Sequence, residues 1–318
     1  MKRIFVRDIN REGEVRDFFL VVKKALYSSK NNTKYASVRL KDKTGSIEAK
    51  IWERVDELTA GFDRNDIVWV ESKARMYQEQ LQLNVTNIRK ETRELTLEEV
   101  REFYPENGSG TEKLIESFHR ITGEIKDEHL SRLFAEMKRN KALLDRFFLL
   151  PASVGVHHVS IGGLLEHSVT VAEMARHAAS FMGGNPDIIV SGSLLHDIGK
   201  VEEIAFDGGA FSYSDRGRLL GHITLGIILF EELASRVDGF PDALADVLKH
   251  IILSHHGEAE WGSPKKPMCI EALVVHYIDN LDAKVMGVKE HMNDNMEDEK
   301  WTQFHRLYES RFYKIPSG

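Results

Sequence analysis

Polar rings and carboxylates set inside apolar, helix-like runs restrict this chain more than any other feature. In LLHDIGK, residues 194–200, His196 and Asp197 stand side by side on an apolar segment. The same pattern recurs with His167 in GGLLEHSVTVAEMA, His222 in GRLLGHITLG, His255 and His256 in ILSHHGE, and Asp279 in VHYIDNLDAK. Burying a polar group without a partner is costly, so the fold must supply partners for all of these. A divalent metal is a natural one, because it takes neutral nitrogen and anionic oxygen together. The single cysteine, Cys269, excludes an internal disulfide and a thiolate-based zinc cluster. Any metal must therefore be held by His and Asp.

At 318 residues the chain is long enough for two domains with cores of their own. No run of about 18 uncharged apolar residues occurs, so no membrane span is expected. The N-terminus, MKRIFVRDINREGEVRD, lacks the apolar core of a signal peptide, and a cytoplasmic protein is expected. The net charge of −7 conceals an asymmetry: residues 1–93 carry 20 Lys/Arg against 14 Asp/Glu, and the remainder 23 against 36. A basic module joined to an acidic one suggests that the first part meets a polyanion, although an excess this modest also suits an ordinary mixed surface.

Residues 14–92 read as strands: FFLVVKKALYSS, YASVRLKD, GSIEAKIW and DIVWVESKARMYQEQLQLNVTNI alternate or are rich in β-branched and aromatic residues. SSKNNT, KDKTG and YQEQ mark the turns, and ERVDELTAGF reads as a short helix after the third strand. This order predicts a small all-β OB barrel, with another small β-barrel as the alternative. From about residue 95 the period changes to 3.6, as in TEKLIESFHRITGEI and EHLSRLFAEMKRNKALLDRFFLLPA. PENGSGTE, residues 105–112, reads as a linker, and FDGGAFSYSD, residues 206–215, as a Gly-rich loop or hairpin. The expected division is 1–93 for the barrel, 94–112 for a helical linker and 113–318 for a helical domain.

The ordered series H…HD…H…HH…D, with GK following HDI, resembles the HD-domain superfamily of metal-dependent phosphohydrolases. The resemblance implies an all-α helical bundle with ligands projecting inward from different helices. HHGEAEWGSPKKP followed by EALVVHYIDNLDAKV further resembles the YhaM-type 3′→5′ exoribonucleases of bacteria, which join an OB domain to an HD domain. By that resemblance His167, His196, Asp197 and Asp279 hold one metal, and Asp197 bridges to a second held by His222, His255 and His256. Two ions about 3.5–4 Å apart can activate a water and neutralise a phosphate. An imidazole-rich set suits manganese, iron or zinc more than magnesium, and the resemblance favours manganese. Lys200, at i+3 from Asp197, lies near enough to contact a phosphate oxygen, and is assigned with Asp197 to catalysis.

Each assignment has a plainer competitor. His222 could be structural or touch substrate, as in single-metal HD proteins. Only one of His255 and His256 need be a ligand, because adjacent helical side chains point about 100° apart. Lys200 could cap a helix C-terminus. Asp282 could support a ligand or be a surface charge. His157, His158, His177, His250 and His276 are not expected to be ligands. The GYP element of HD-GYP cyclic-dinucleotide phosphodiesterases is missing, and Gly163 stands where those enzymes often carry a Glu.

OB barrels bind single strands by stacking bases on aromatics in a basic groove. The candidates are Tyr35, Arg39, Lys50, Trp52, Arg75 and Tyr77. Alternation puts Arg39 and Lys41 opposite Val38 and Leu40, and gives Trp52 the parity of Lys50. Trp69, between Val68 and Val70, is expected in the core. The leading expectation is a metal-dependent exonuclease acting on single-stranded RNA, with DNA as a second substrate, and its 3′→5′ direction rests on the resemblance alone. A phosphohydrolase or phosphodiesterase acting on small nucleotides is the alternative, and a nucleic-acid-binding regulator with a structural metal is a third. Assembly into a homo-oligomer stays open.

Overall fold

Strands in which apolar residues alternate with polar ones build the first part of the protein. The computed structural model describes residues 2–28, 33–78, 80–93, 95–104, 110–154, 160–207, 210–294 and 300–315. Strands β1 (Gly13–Ser28), β2 (Lys34–Asp42), β3 (Gly45–Ile51), β4 (Ile67–Tyr77) and β5 (Gln80–Lys90) close a barrel in the order β1-β2-β3-β5-β4. Only β3 and β5 pair in parallel. The long β1 pairs with β4 through its first half and with β2 through its second. An irregularity between Val21 and Lys23 re-aims the strand from one neighbour to the other. Helix α1 (Val55–Ala60) joins β3 to β4, and its Val55 and Leu58 pack into the barrel core with Phe19, Val38, Leu40, Ala49, Ile51 and Val70. This is the five-stranded OB arrangement, with a helix after the third strand, that the sequence predicts.

Trp69 corrects one expectation. Val68 and Val70 are fully buried, so the residue between them faces outward, where Trp69 is half-buried against Phe18 at 4.8 Å. Two flanking inward residues in a strand force their neighbour out.

The chain forms two compact units, the first comprising Met1–Gly108, Val159–Ile161 and Ile204–Ser214. Within it α2 (Leu97–Val100) follows the barrel, and β6 (Ile204–Asp207) pairs with β7 (Ala210–Tyr213) in a hairpin. Phe211 packs on Tyr104 at 5.0 Å, which ties that hairpin to the segment after the barrel. The hairpin and α1 make "all-β" and "all-α" simplifications of the two halves. Of the expected linker PENGSGTE, residues 105–109 lie outside the described residues.

The second unit is built from α3 (Thr111–Gly123), α4 (Glu128–Arg139), α5 (Lys141–Leu149), α6 (Gly163–Met182), α7 (Pro186–Leu195), α8 (Lys200–Glu203), α9 (Asp215–Ala234), α10 (Asp242–Ser254) and α11 (Ile270–Asp294). Leu130, Leu133, Phe134 and Met137 of α4 recur at helical spacing and are buried, as the period predicts. Side chains of Asp127, Asn140 and Asn185 cap α4, α5 and α7 by accepting from backbone N–H groups. Helix α7 is buried on every side from Ile189 to Leu195 and packs against α4, α6, α10 and α11. Its last turn delivers His196 and Asp197 to the interior. Among the described residues no helix is long and apolar enough to cross a membrane.

The HDIGK turn presses directly on the backbone of α9. A Cβ built on Gly199 would lie 1.9 Å from the His222 carbonyl oxygen and 2.4 Å from the Gly226 nitrogen. Backbone cannot move aside as a flexible side chain can. Gly199→Ala is therefore expected to destabilise the protein by about 1–3 kcal/mol or more. Urea unfolding checks this, and wild-type stability in the variant would show that the two segments are not in contact.

Candidate metal centre and nucleic-acid face

Each imidazole of the predicted series is held by one ring nitrogen, and the other turns inward. His167, on α6, places Nδ1 2.7 Å from Asp282 Oδ2. His196 places Nδ1 2.7 Å from the Ser193 carbonyl, and His255 places Nδ1 2.8 Å from that of Ile252. His256 Nδ1 lies 2.7 Å from the Trp261 carbonyl. His222 follows a break in α9 at Gly221, whose φ is 69°. The break frees the His222 backbone N–H to donate to Glu203 Oε1 at 3.0 Å, and the ring Nδ1 lies 3.3 Å from the same oxygen. A carbonyl or carboxylate on one nitrogen fixes the ring's orientation and tautomer, leaving the other nitrogen as a ligand.

The inward atoms converge on Asp197. Its Oδ2 lies 3.4 Å from His196 Nε2 and 3.7 Å from His167 Nε2, and its Oδ1 lies 3.5 Å from His222 Nε2 and 3.6 Å from His255 Nε2. Asp279 of α11 brings Oδ1 to 3.1 Å from His167 Nε2 and 3.8 Å from His196 Nε2. The Lys200 ammonium lies 2.6 Å from Asp197 Oδ2, so it engages that carboxylate directly. Two groups have mutually close ligand atoms: His167, His196 and Asp197, and His222, His255 and His256. His255 and His256, just past the end of α10 at Ser254, both approach His222, with ring centroids 5.6 and 5.2 Å away. Gly257, at φ 78°, completes this turn: a Cβ there would strike the His276 ring. His276 itself sits behind the cluster, its Nδ1 2.6 Å from the His255 carbonyl.

The donor set fits a divalent metal. Asp197 Oδ1, His222 Nε2 and His255 Nε2 are buried with no hydrogen-bond partner. Unpaired buried polar atoms are rare, and three converging ones are what a cation would satisfy.

On the barrel, Tyr27, Tyr35 and Trp52 form a ladder at the ends of β1, β2 and β3. Ring centroids are 5.5 Å apart for Tyr27–Tyr35 and 4.8 Å for Tyr35–Trp52, with interplanar angles of 25° and 24°. The Lys50 ammonium lies 5.6 Å from the Tyr35 ring and donates to Ser37 Oγ at 2.7 Å. Arg39 pairs with Glu48 at 2.8 Å. Arg75 pairs with Glu12 at 3.1 Å and shares an outward row with Gln82, Glu48 and Arg39 across β4, β5, β3 and β2. Tyr77 is exposed at the end of β4, opposite Gln80, and is not part of the ladder.

Residues 164–284 match the HD domain model, and residues 12–91 match the OB-fold nucleic acid binding domain model. The 3′-5′ exoribonuclease YhaM of Geobacillus sp. (strain WCH70) is 33% identical over 304 residues, covering 95% of this chain and 92% of that protein. The chain belongs to the YhaM 3′-5′ exoribonuclease family. Among solved structures, the HD domain of the L. monocytogenes phosphodiesterase PgpH covers 46% of this chain and 74% of its own, at 19% identity and a TM-score of 0.32. The mitochondrial single-stranded DNA binding protein Rim1 of S. cerevisiae covers 25% of this chain and 94% of its own, at 16% identity and a TM-score of 0.22.

This family member has partners around its cluster that the motif does not announce. Glu203 orients His222, and nothing in GKVEEIAF marks it apart from its neighbour Glu202. Tyr27 escapes a parity count because the irregularity in β1 shifts the alternation before it. Asp282 is the exception, since its i+3 spacing from Asp279 points to the same face of α11.

Electrostatics make the cluster ready to exchange a proton for a metal. Burial opposes a charge on His167, but Asp279 and Asp282 beside it prevail and raise its pKa to about 9. Burial also opposes the Asp197 carboxylate, yet Lys200 and His196 hold it well below the ordinary range. Burial and the neighbouring His196 push His255 well below the usual imidazole value, so it is a neutral imidazole at pH 7. His167 must lose its proton before its Nε2 can bind a cation, so metal affinity should rise with pH until about 9 and then level off. Calorimetric titration with manganese at pH 7, in buffers of different ionisation enthalpy, should show about one proton released per His167 site. No buffer dependence would remove the protonated His167.

Proposed function

We propose that this protein is a metal-dependent 3′→5′ exonuclease that hydrolyses single-stranded RNA, with DNA as a second substrate, in the cytoplasm. The observation that carries this reading is Asp197: one buried carboxylate offers one oxygen to His167 and His196 and the other to His222 and His255. That arrangement suits a carboxylate that would help to hold two divalent ions, manganese by preference and iron or zinc as alternatives. In this assignment His167, His196, Asp197 and Asp279 would hold one ion, and His222, His255 and His256 would hold the other with Asp197. When bound, the ions supply an activated water and neutralise charge on the phosphate under attack. The chain's own groups then have distinct tasks. Asp282 and Glu203 keep the His167 and His222 rings aimed inward. Lys200 holds a positive charge beside Asp197, where it can meet a phosphate oxygen.

The barrel supplies capture without sequence readout. Tyr35 and Trp52 offer stacking surfaces, with Tyr27 extending them, and Arg39, Lys50 and Arg75 add positive charge. Tyr77 would extend the track toward the β4–β5 turn. Stacking is tolerant of base identity, which suits an enzyme that shortens any 3′ end. The domain assignment follows the same division: capture in residues 1–93, connection through 94–112 and hydrolysis in 113–318.

Incubation with manganese and 5′-labelled single-stranded RNA should give a descending ladder that keeps its label. Asp197→Asn, which keeps the shape and removes the charge, should reduce shortening to background and lower bound metal on elemental analysis. Untouched oligonucleotides with hydrolysis of free nucleotides would instead support a small-nucleotide phosphohydrolase.

The capture role has its own test. Tyr35→Ala and Trp52→Ala should each weaken single-stranded RNA binding by roughly tenfold with little change in salt dependence. Lys50→Ala should reduce the slope of log affinity against log salt by about one. Anisotropy titrations at several salt concentrations separate the two, and wild-type affinity in all three variants would remove the barrel face from binding.

A further inference from the structure

We propose that Trp261 and Lys284 form a seat for the 3′-terminal nucleobase, next to the metal-binding cluster; this rests on the exonuclease reading and names how its site holds the end of the strand. After the His255-His256-Gly257 turn, the chain makes a single 3-10 turn, Ala259–Trp261, closed by Gly262 at φ 89°. The Trp261 carbonyl is the group that holds His256 Nδ1, at 2.7 Å. The indole is thus attached to backbone one hydrogen bond away from a ring of the cluster. The loop beneath it is pinned: the buried Ser263 hydroxyl donates to the Leu253 or the Lys265 carbonyl, each at 2.8 Å, and its backbone N–H donates to the Glu258 carbonyl.

The Trp261 side chain contributes little to the core. It is 51% exposed, and among the described residues no other aromatic ring packs on it. Its charged neighbour is Lys284 of α11, whose ammonium lies 5.5 Å from the ring centroid. Lys284 follows Asp279 and Asp282 on the same helix, so α11 carries both cluster carboxylates and, a few residues on, the cation beside the indole. A large flat ring on a pinned loop, half open beside a cation, is a stacking platform for a nucleobase. The cation also answers a problem of charge: residues 94–318 carry 36 Asp/Glu against 23 Lys/Arg, a balance that would repel a phosphodiester approaching the cluster. Because Trp261 adjoins the cluster itself, the base it takes is that of the nucleotide whose phosphate lies there, the one to be released. Every base has a π-face, so the seat demands a base without selecting one.

The test compares two 5′-labelled RNAs that differ only at the 3′-terminal residue, adenosine or an abasic ribose, with full-length protein and manganese. Wild type should favour the intact end by roughly tenfold in KM, and Trp261→Ala should bring that ratio close to one. Trp261→Phe should keep an intermediate ratio, and Lys284→Ala should lower it. A Trp261→Ala variant that slows both ends equally and keeps the ratio would overturn the proposal and leave Trp261 as a support for His256. So would a wild-type ratio of one. A second measurement does not require hydrolysis: adenosine 5′-monophosphate should quench tryptophan emission in wild type, ribose 5-phosphate should not, and the quenching should be lost in Trp261→Phe. Quenching unchanged in that variant would also overturn the seat. If wild type shortens neither RNA yet the quenching is lost in the variant, the exonuclease reading fails and the base seat stands. Shortening with a ratio indifferent to Trp261 sinks the seat alone.

Discussion

The helical unit is organised around a buried carboxylate with imidazoles on both sides. Asp197 is 2% exposed, and its two oxygens face different pairs of histidines. A lone buried carboxylate would be expensive, and so would each buried ring. Together, with Lys200 on one oxygen, they form a network in which each group offsets part of its neighbours' cost. The remaining deficit lies in the inward atoms with no partner, and a divalent cation is the species that would satisfy them.

Holding that network requires helices to approach more closely than side chains normally permit. Gly199 lets the turn after α7 touch the backbone at His222, and Gly257 makes room for the His276 ring behind His255. Gly221 breaks α9 so that His222 can use both its backbone N–H and its ring on Glu203. The glycines in HDIGK, GHITLG and HHG thus serve the site through space rather than chemistry. They also explain why histidines far apart in the chain arrive with their unheld nitrogens in one small volume.

The barrel meets a different constraint. Its inner face is filled by alternate residues of every strand, so the outer face receives whatever lies between them. That places Tyr35 beside Trp52, and Lys50 beside Tyr35, with no packing demand from the core. Lys50, Ser37, Glu48 and Arg39 then link to one another along the surface. Such a face is rigid because the strands are, which suits stacking better than a loop would.

The sequence by itself determined the order of elements and the identity of the cluster. A period of two and then of 3.6 is written in every few residues, and helix-like apolar runs carrying His and Asp leave little choice about what must meet. Alternation turns Arg39 and Lys50 outward, and it turns Trp69 outward between Val68 and Val70. Tertiary structure decided what depends on contacts between distant segments. The two-against-two division of histidines around Asp197 needs four helices, α6, α7, α9 and α10, to converge. Glu203 acquires its role only because α9 breaks where it does. Tyr27 joins the aromatic ladder only because β1 slips register within its pairing with β2. Trp261 lies beside the cluster through a backbone carbonyl, a group that every residue has and that no side-chain pattern can reveal. Local periodicity is encoded in neighbouring residues, whereas these placements arise from packing between segments far apart in the chain.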